Sequence, residues 1–232
     1  MENLSLEKLP IEKLSTEKLS TEKLSTEKLS TEKLSIEKFF IERLPVVMVC
    51  NYLDERNISE LAKTYPIPEK FCIRNYRKGE ENLWAEIETA AGEFKSEKEA
   101  LERFKNEFGL YRDDMGKRCF FVINKESNKA IGTTTAWYNN NFNGQHYGRI
   151  HWVGIHPDFQ GRKLAKPMLA TAMMCLAKYH DKAYLTSQTT SYKAINMYLD
   201  FGFVPEIMSD ECEKAWKIIE DVLDRKILKH DI

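Results

Sequence analysis

The sequence has no long apolar run. Nothing in it approaches the ~18 residues that a membrane-spanning helix needs, so no membrane partner is expected. It has no charge excess either. Lys and Arg total 35 against 36 Asp and Glu, a formal net charge of −1, so nucleic acid is not an expected partner. The five cysteines (Cys50, Cys72, Cys119, Cys175, Cys212) are odd in number, widely spaced and form no CxxC pair. That pattern predicts free, mostly buried thiols in a reducing, cytoplasmic setting. The N-terminus alternates charges and lacks the basic-then-apolar order of a secretory signal. His151 and His156 have no carboxylate at ligand spacing, so no metal site is expected.

What is present suits one ordinary domain with extensions: 232 residues, 42% hydrophobic and 31% charged. From Leu4 to Leu44 the chain repeats every five residues, with the unit Ser-Thr-Glu-Lys-Leu nearly perfect from Ser15 to Leu34. Five residues advance an α-helix by about 500°, some 140° beyond a full turn, so the leucines wind around it and build no single face. On a strand the odd period alternates them between faces. A solvated low-complexity tail over residues 1–47 is expected, dispensable for chemistry, followed by a lead-in over 48–65.

Globular patterning begins after that. Strands are predicted at Phe71–Tyr76, Cys119–Ile123, Ala130–Tyr138, Tyr147–Ile155, Ala183–Thr189 and Phe203–Met208. Helices are predicted at Glu80–Phe94, from the Ser96 cap with its Glu99 capping box to Phe108, at Leu164–Tyr179, at Tyr192–Phe201 and at Glu211–Leu228. Gly109 stands where a C-cap is wanted, and Asn139–Gln145 reads as a polar loop. The order predicts an α/β (α+β) fold, helices flanking a mixed sheet, over residues 66–208, with residues 209–232 forming a C-terminal amphipathic helix.

The stretch from His151 to Ala165 carries the chemistry. A strand meets Pro157, a short loop holds Gly161, Arg162 and Lys163, and a helix follows. Unpaired N–H groups at a helix start, with cations beside them, suit an anion or phosphate; a plain basic surface turn fits the same residues.

Ile155-His156-Pro157, followed by Gln160, Gly161, Arg162, Leu164 and Ala165, resembles the acyl-CoA diphosphate loop of GNAT-superfamily N-acetyltransferases. Lys163 stands where their pattern has its central glycine. A left-handed backbone would cost that side chain about 1–2 kcal/mol. Downstream, Ser191-x-x-Ala194-x-x-Met197-Tyr198 and then Gly202-Phe203 resemble the family's second motif, with Ser191 in place of its usual asparagine.

The resemblance implies the acyl-CoA N-acyltransferase fold, with a mostly antiparallel sheet, and acetyl-CoA as co-substrate. It implies coenzyme contacts at Val153, Gly154, Ile155, Gln160, Gly161, Arg162, Lys163, Leu164, Ala165 and Ser191. A backbone N–H near Val153–Ile155 would hold the acyl carbonyl, with Gly154 permitting a bulge.

It further implies that Tyr198 protonates the departing thiolate and that His151 serves as the base, working through water. A core tyrosine and a structural histidine are the plain alternatives. Arg149 and Trp152 flank His151 and would shape the acceptor pocket. Thr186, Gln188 and Thr189 end a strand near where coenzyme and acceptor would meet. His156 is expected to cap the strand end.

No cysteine lies in a nucleophile motif, so direct transfer to an amine of a small molecule or peptide is expected. Glu81, Glu86 and Glu88 read as a solvated face that could also meet a cationic amine. A non-catalytic acyl-CoA sensor on the same fold, or an interaction module built on the repeat, are the other readings. Oligomeric state is left open, a homodimer included.

Overall fold

The computed structural model describes residues 41–228. The repeat through residue 40 and the last four residues lie outside them, and with them the expectation of a solvated tail. Strands β1 (Pro45–Cys50), β2 (Phe71–Asn75), β3 (Cys119–Asn124), β4 (Lys129–Phe142), β5 (Gln145–Ile155), β6 (Ala183–Gln188) and β7 (Val204–Pro205) form one sheet in the order β2-β3-β4-β5-β6-β1-β7. Every pairing is antiparallel except β5 with β6. Helices α1 (Glu55–Thr64), α2 (Glu81–Ala90), α3 (Glu97–Phe108), α4 (Arg112–Arg118), α5 (Ala165–Ala177), α6 (Tyr192–Asp200) and α7 (Asp210–Leu223) flank it.

Each face of the sheet has its own core. On one, Val46, Met48 and Leu185 pack with Leu169, Met173 and Leu176 of α5 and with Trp216 and Ile219 of α7. On the other, Phe121 and Trp137 pack with Trp84 and Ile87 of α2 and with Phe104 and Phe108 of α3. The expected cap of α3 is present: Ser96 Oγ accepts from the Glu99 amide at 3.3 Å, while Glu99 reaches back to the Lys95 amide at 3.2 Å. Gly109 follows α3 as expected, but with helical rather than left-handed backbone.

The sheet extends further toward the N-terminus than the sequence predicts. Residues 45–47 belong to β1, which pairs with β6 along its whole length from Pro45↔Gln188 to Cys50↔Ala183. The stretch read as a lead-in holds α1, capped by Asp54, whose Oδ1 accepts from the Arg56 and Asn57 amides at 2.9 Å each. An apolar strand of Val and Met beside a repeat loses its composition signal, so the boundary drifted.

Two further elements differ in extent. The expected loop over residues 139–145 is mostly strand; only Asn143-Gly144 turn, both with positive φ (50° and 73°), as a tight hairpin requires. The expected last strand shrinks to Val204–Pro205, after which the Glu206 amide still donates to the Val47 carbonyl of β1 at 3.0 Å. Helix α4 has no counterpart among the predicted elements.

One feature of the sheet positions the site. Strands β5 and β6 pair only at Gly148↔Ala183 and Arg149↔Tyr184, then part. The remainder of β5, Ile150 to Ile155, has no partner on that side, and a wedge opens between the two strands.

Candidate active site

Strand β5 is irregular where the wedge opens. Thr133 pairs with Gly154 and Thr135 with His151, so β5 has one more residue than β4 between those pairs. Trp152 takes φ +49°, a conformation that costs a bulky residue about 1–2 kcal/mol. Its side chain offsets that cost. The indole packs edge-on against Trp84 (centroids 5.5 Å apart) and at a tilt against Phe94 (5.1 Å), and its Nε1–H donates to Glu107 Oε2 at 3.0 Å. The bulge leaves Val153 without a partner on β4, and the wedge leaves it without one on β6.

The bulge thus falls at Trp152–Val153, not at Gly154 as expected. Gly154 is required for a different reason. A Cβ there would stand 3.1 Å from Glu88 Oε1. Glu88, expected on a solvated face with Glu81 and Glu86, is fully buried, and neither carboxylate oxygen has a hydrogen-bond partner. Burial, with the charge of Glu93 adding to it, pushes its pKa well above the carboxylate range, so the group is neutral. Glu86 is exposed, and Glu81 meets Arg112 at 3.1 Å.

Two cavities meet at this strand. The larger, about 940 Å³, is lined by Val153, Ile155, Gln160, Gly161, Lys163, Leu164 and Ala165, with Tyr65, Lys166, Lys193 and Tyr198 among the other residues around it. Its rim is the loop before α5. Gly161 takes φ +75° and Lys163 φ +60°, so Lys163 adopts the left-handed conformation that its position implied. The first bond of α5 runs from the Met168 amide to the Leu164 carbonyl. Amides ahead of it therefore project from the helix end, where the helix dipole is positive. Gln160 Nε2 donates to the Ile155 carbonyl at 3.1 Å, tying the loop to the strand. His156 caps the intervening turn, its Nδ1 accepting from the Asp158 amide at 3.3 Å. Arg162 lies outside this lining; its guanidinium sits 4.9 Å over the Phe159 ring. Lys166 and Lys193, which no motif singled out, are the added cations.

The smaller cavity, about 430 Å³, lies on the other side of Val153. His151, Glu107, Arg149, Arg103, Glu93, Thr186, Gln188 and Ser191 line it, together with Val153, Ala194 and Tyr198, which it shares with the larger one. Ser191, expected on the coenzyme, faces this cavity and accepts from Gln188 Nε2 at 3.2 Å. Thr189 is buried, its Oγ1 accepting from the Leu44 amide at 3.0 Å.

His151 and Glu107 form a pair, with Nε2 to Oε1 at 2.5 Å. Burial pushes the His151 pKa down, the Glu107 hydrogen bond pushes back, and the net shift is downward, so the imidazole is neutral at pH 7. Burial pushes Glu107 up, but the hydrogen bonds and charge of His151, with Trp152 and Arg149, outweigh it and hold the carboxylate ionised. Glu107 is the residue that sequence reasoning missed. It is 44 positions away from His151 on α3, where it reads as one more surface glutamate.

Tyr198 stands where the cavities join. Burial first, then Glu88 and Glu93, raise its pKa above the usual phenol value, so its proton is retained at neutral pH. Three thiols are poor nucleophiles here: burial pushes Cys119 up to about 12 and raises Cys50 and Cys175 as well. Among the described residues, no three His, Cys, Asp or Glu side chains gather to hold a metal, and no helix is long and apolar enough to cross a membrane.

A family model described as Acetyltransferase (GNAT) family matches residues 81–203. Among solved structures, a GCN5-related N-acetyltransferase from Sphaerobacter thermophilus is 20% identical with a TM-score of 0.57, over 71% of this chain and 49% of that one. A GNAT-family acetyltransferase from Colwellia psychrerythraea is 12% identical with a TM-score of 0.52, over 71% and 53%. A protein from Pyrococcus horikoshii OT3 is 22% identical with a TM-score of 0.50, over 60% and 92%. The chain thus spans about half the length of the first two, and at these identities the likeness is one of fold. No curated protein matches the sequence.

Proposed function

Since the chain belongs to the GNAT family of acyltransferases, we propose that it moves an acetyl group from acetyl-CoA directly to an amine. One observation carries this reading: Tyr198 and Val153 lie on the wall shared by two cavities, one suited to a diphosphate-bearing ligand and one lined by a histidine–carboxylate pair. The larger cavity fits the coenzyme. Its loop offers amides from a left-handed turn and a helix start, and Lys163, Lys166 and Lys193 add charge.

The chemistry follows from these positions. Neutral His151, oriented by Glu107, takes a proton from the incoming ammonium, directly or through water, and passes it to solvent, leaving the neutral amine. The amine nitrogen attacks the thioester carbon. Charge gathering on the carbonyl oxygen meets the Val153 N–H, which the bulge frees from the ladder. The carbon–sulfur bond breaks, and the sulfur takes the Tyr198 proton, which that residue recovers from solvent. As the thiolate leaves, the adduct's nitrogen gives a second proton to the regenerated His151, so the products are an N-acetyl amine and free coenzyme A thiol: two protons leave the ammonium nitrogen, one matched by the proton that reaches sulfur and one released to solvent. The raised pKa values of the buried cysteines support transfer without a covalent enzyme intermediate.

Thiol release from acetyl-CoA, measured across polyamines, amino acids, aminoglycosides and peptide N-termini with product identified by mass spectrometry, tests the reading. Amine-dependent release with stoichiometric N-acetylation is expected. Tight coenzyme binding without any release would replace the enzyme by an acyl-CoA sensor.

A further inference from the structure

We propose that the acceptor is a small amine that also carries a carboxylate, a free amino acid in the simplest case, and that Arg149 recognises that carboxylate. This rests on the acetyl-transfer reading above. Arg149 is the last residue of β5 to pair with β6, so it stands at the apex of the wedge, and it lines the smaller cavity. It lies two residues from His151, so both side chains leave the same face of the strand, about 6–7 Å apart. A carboxylate on one and an amine near the other are separated by the span of an amino acid.

The formal charges around the cavity are even, two arginines against two carboxylates, but neither carboxylate engages Arg149. Its two carboxylates are Glu107 and Glu93. Both oxygens of Glu107 are taken, one by His151 and one by the Trp152 indole; Arg149 influences that carboxylate only from beyond ion-pair distance. Glu93 is exposed at the rim. Arg149 has no ion pair among the described residues, and its Nε is buried without a hydrogen-bond partner.

The guanidinium lies 5.5 Å from the Tyr184 ring centre. A contact with a ring takes up none of its N–H groups, which are left for a bidentate carboxylate. Arg103, from α3, adds a second cation to the lining. Polar ends of β6, Thr186 and Gln188, complete a wall suited to a zwitterion. A volume of about 430 Å³ fits a single amino acid and is too small for a folded partner.

Matched acceptors test this: lysine against cadaverine, ornithine against putrescine, tyrosine against tyramine, and each amino acid against its amide. The carboxylated member is expected to lead by at least about tenfold in kcat/KM in one or more pairs. The Arg149→Gln variant should bring that ratio to within about threefold, and Arg149→Lys should restore part of it. The amide comparison uses the wild-type protein, so it stands whether or not the variants fold. Equal or better turnover of the uncharged member in every pair would overturn the carboxylate inference while leaving acetyl transfer intact. No thiol release with any amine, from protein that still binds acetyl-CoA, would overturn acetyl transfer and this inference with it.

Discussion

The two cavities beside Val153 are built in opposite ways. The larger is mostly the work of one continuous stretch, residues 153–167, whose backbone turns through Gly161 and Lys163 and presents amides at the start of α5. The smaller is assembled from side chains of α3, β5, β6 and α6 that are far apart in the chain. A backbone site depends on which dihedrals the residues can adopt. A side-chain site depends on how distant elements pack. The first tolerates surface substitution but not a change at a left-handed position. The second tolerates backbone variation but fails when one partner of a buried pair is removed. Both share Val153, Ala194 and Tyr198 at their junction, and of these only Tyr198 brings a polar side chain.

The sharpest way to break this comparison is at that junction. The Tyr198→Phe variant should lower kcat about 100-fold with KM for acetyl-CoA moving less than about threefold, because a proton donor is lost and no coenzyme contact is removed. Steady-state kinetics read this, and an unchanged kcat would remove Tyr198 from the chemistry.

The backbone cavity is isolated by Gly161→Val. A β-branched residue cannot hold φ +75° without strain, so the loop must rearrange. Acetyl-CoA affinity should fall about 30-fold, roughly 2 kcal/mol by titration calorimetry, with acceptor KM little altered. A matching loss on the acceptor side would mean that the cavities are not separable.

The side-chain cavity is isolated by its buried pair. A base must be unprotonated, and the His151 pKa lies below its ordinary value of about 6.5, so the acidic limb of kcat/KM should fall below that pH. The Glu107→Gln variant withdraws the hydrogen bond and charge that raise His151, so the limb should move to still lower pH, with kcat down about tenfold from lost orientation. A limb that stays in place would separate Glu107 from the base.

The smallest expected effect lies beneath the bulge. Glu88 has a folded pKa raised above its unfolded value, so its contribution to stability is present below about pH 4.5 and is lost as pH rises toward the folded value. The Glu88→Gln variant should therefore melt at the wild-type temperature near pH 4.5 and higher by on the order of 3 °C at pH 8. Equal melting at both pH values would show that the carboxyl carries no such penalty.

The same contrast decides what the sequence made legible. The strand end at Pro157, the glycine loop and the start of α5 are local, and the Ser191–Phe203 motif is local too. So the sheet-and-helix order, the loop and the positions of Tyr198 and His151 could be read directly. Lys163 could even be anticipated as left-handed. Glu107 could not be found, since nothing on α3 marks it until the fold brings it to His151. Glu88 was misread because its charge outweighed its spacing: it lies four residues after Trp84 on the buried face of α2, where Gly154 leaves room for it. Strand β1 was lost because its pairing partner, β6, lies about 140 residues away.

The central claim is that amides between β5 and α5, with Lys163, Lys166 and Lys193 beside them, hold the coenzyme's paired phosphates. Calorimetric titration of acetyl-CoA into the intact, folded protein tests it most directly. One site per chain is predicted, with affinity that weakens as salt rises. Folded protein that evolves no binding heat with either acetyl-CoA or coenzyme A, and shows no thermal shift with them, would contradict it.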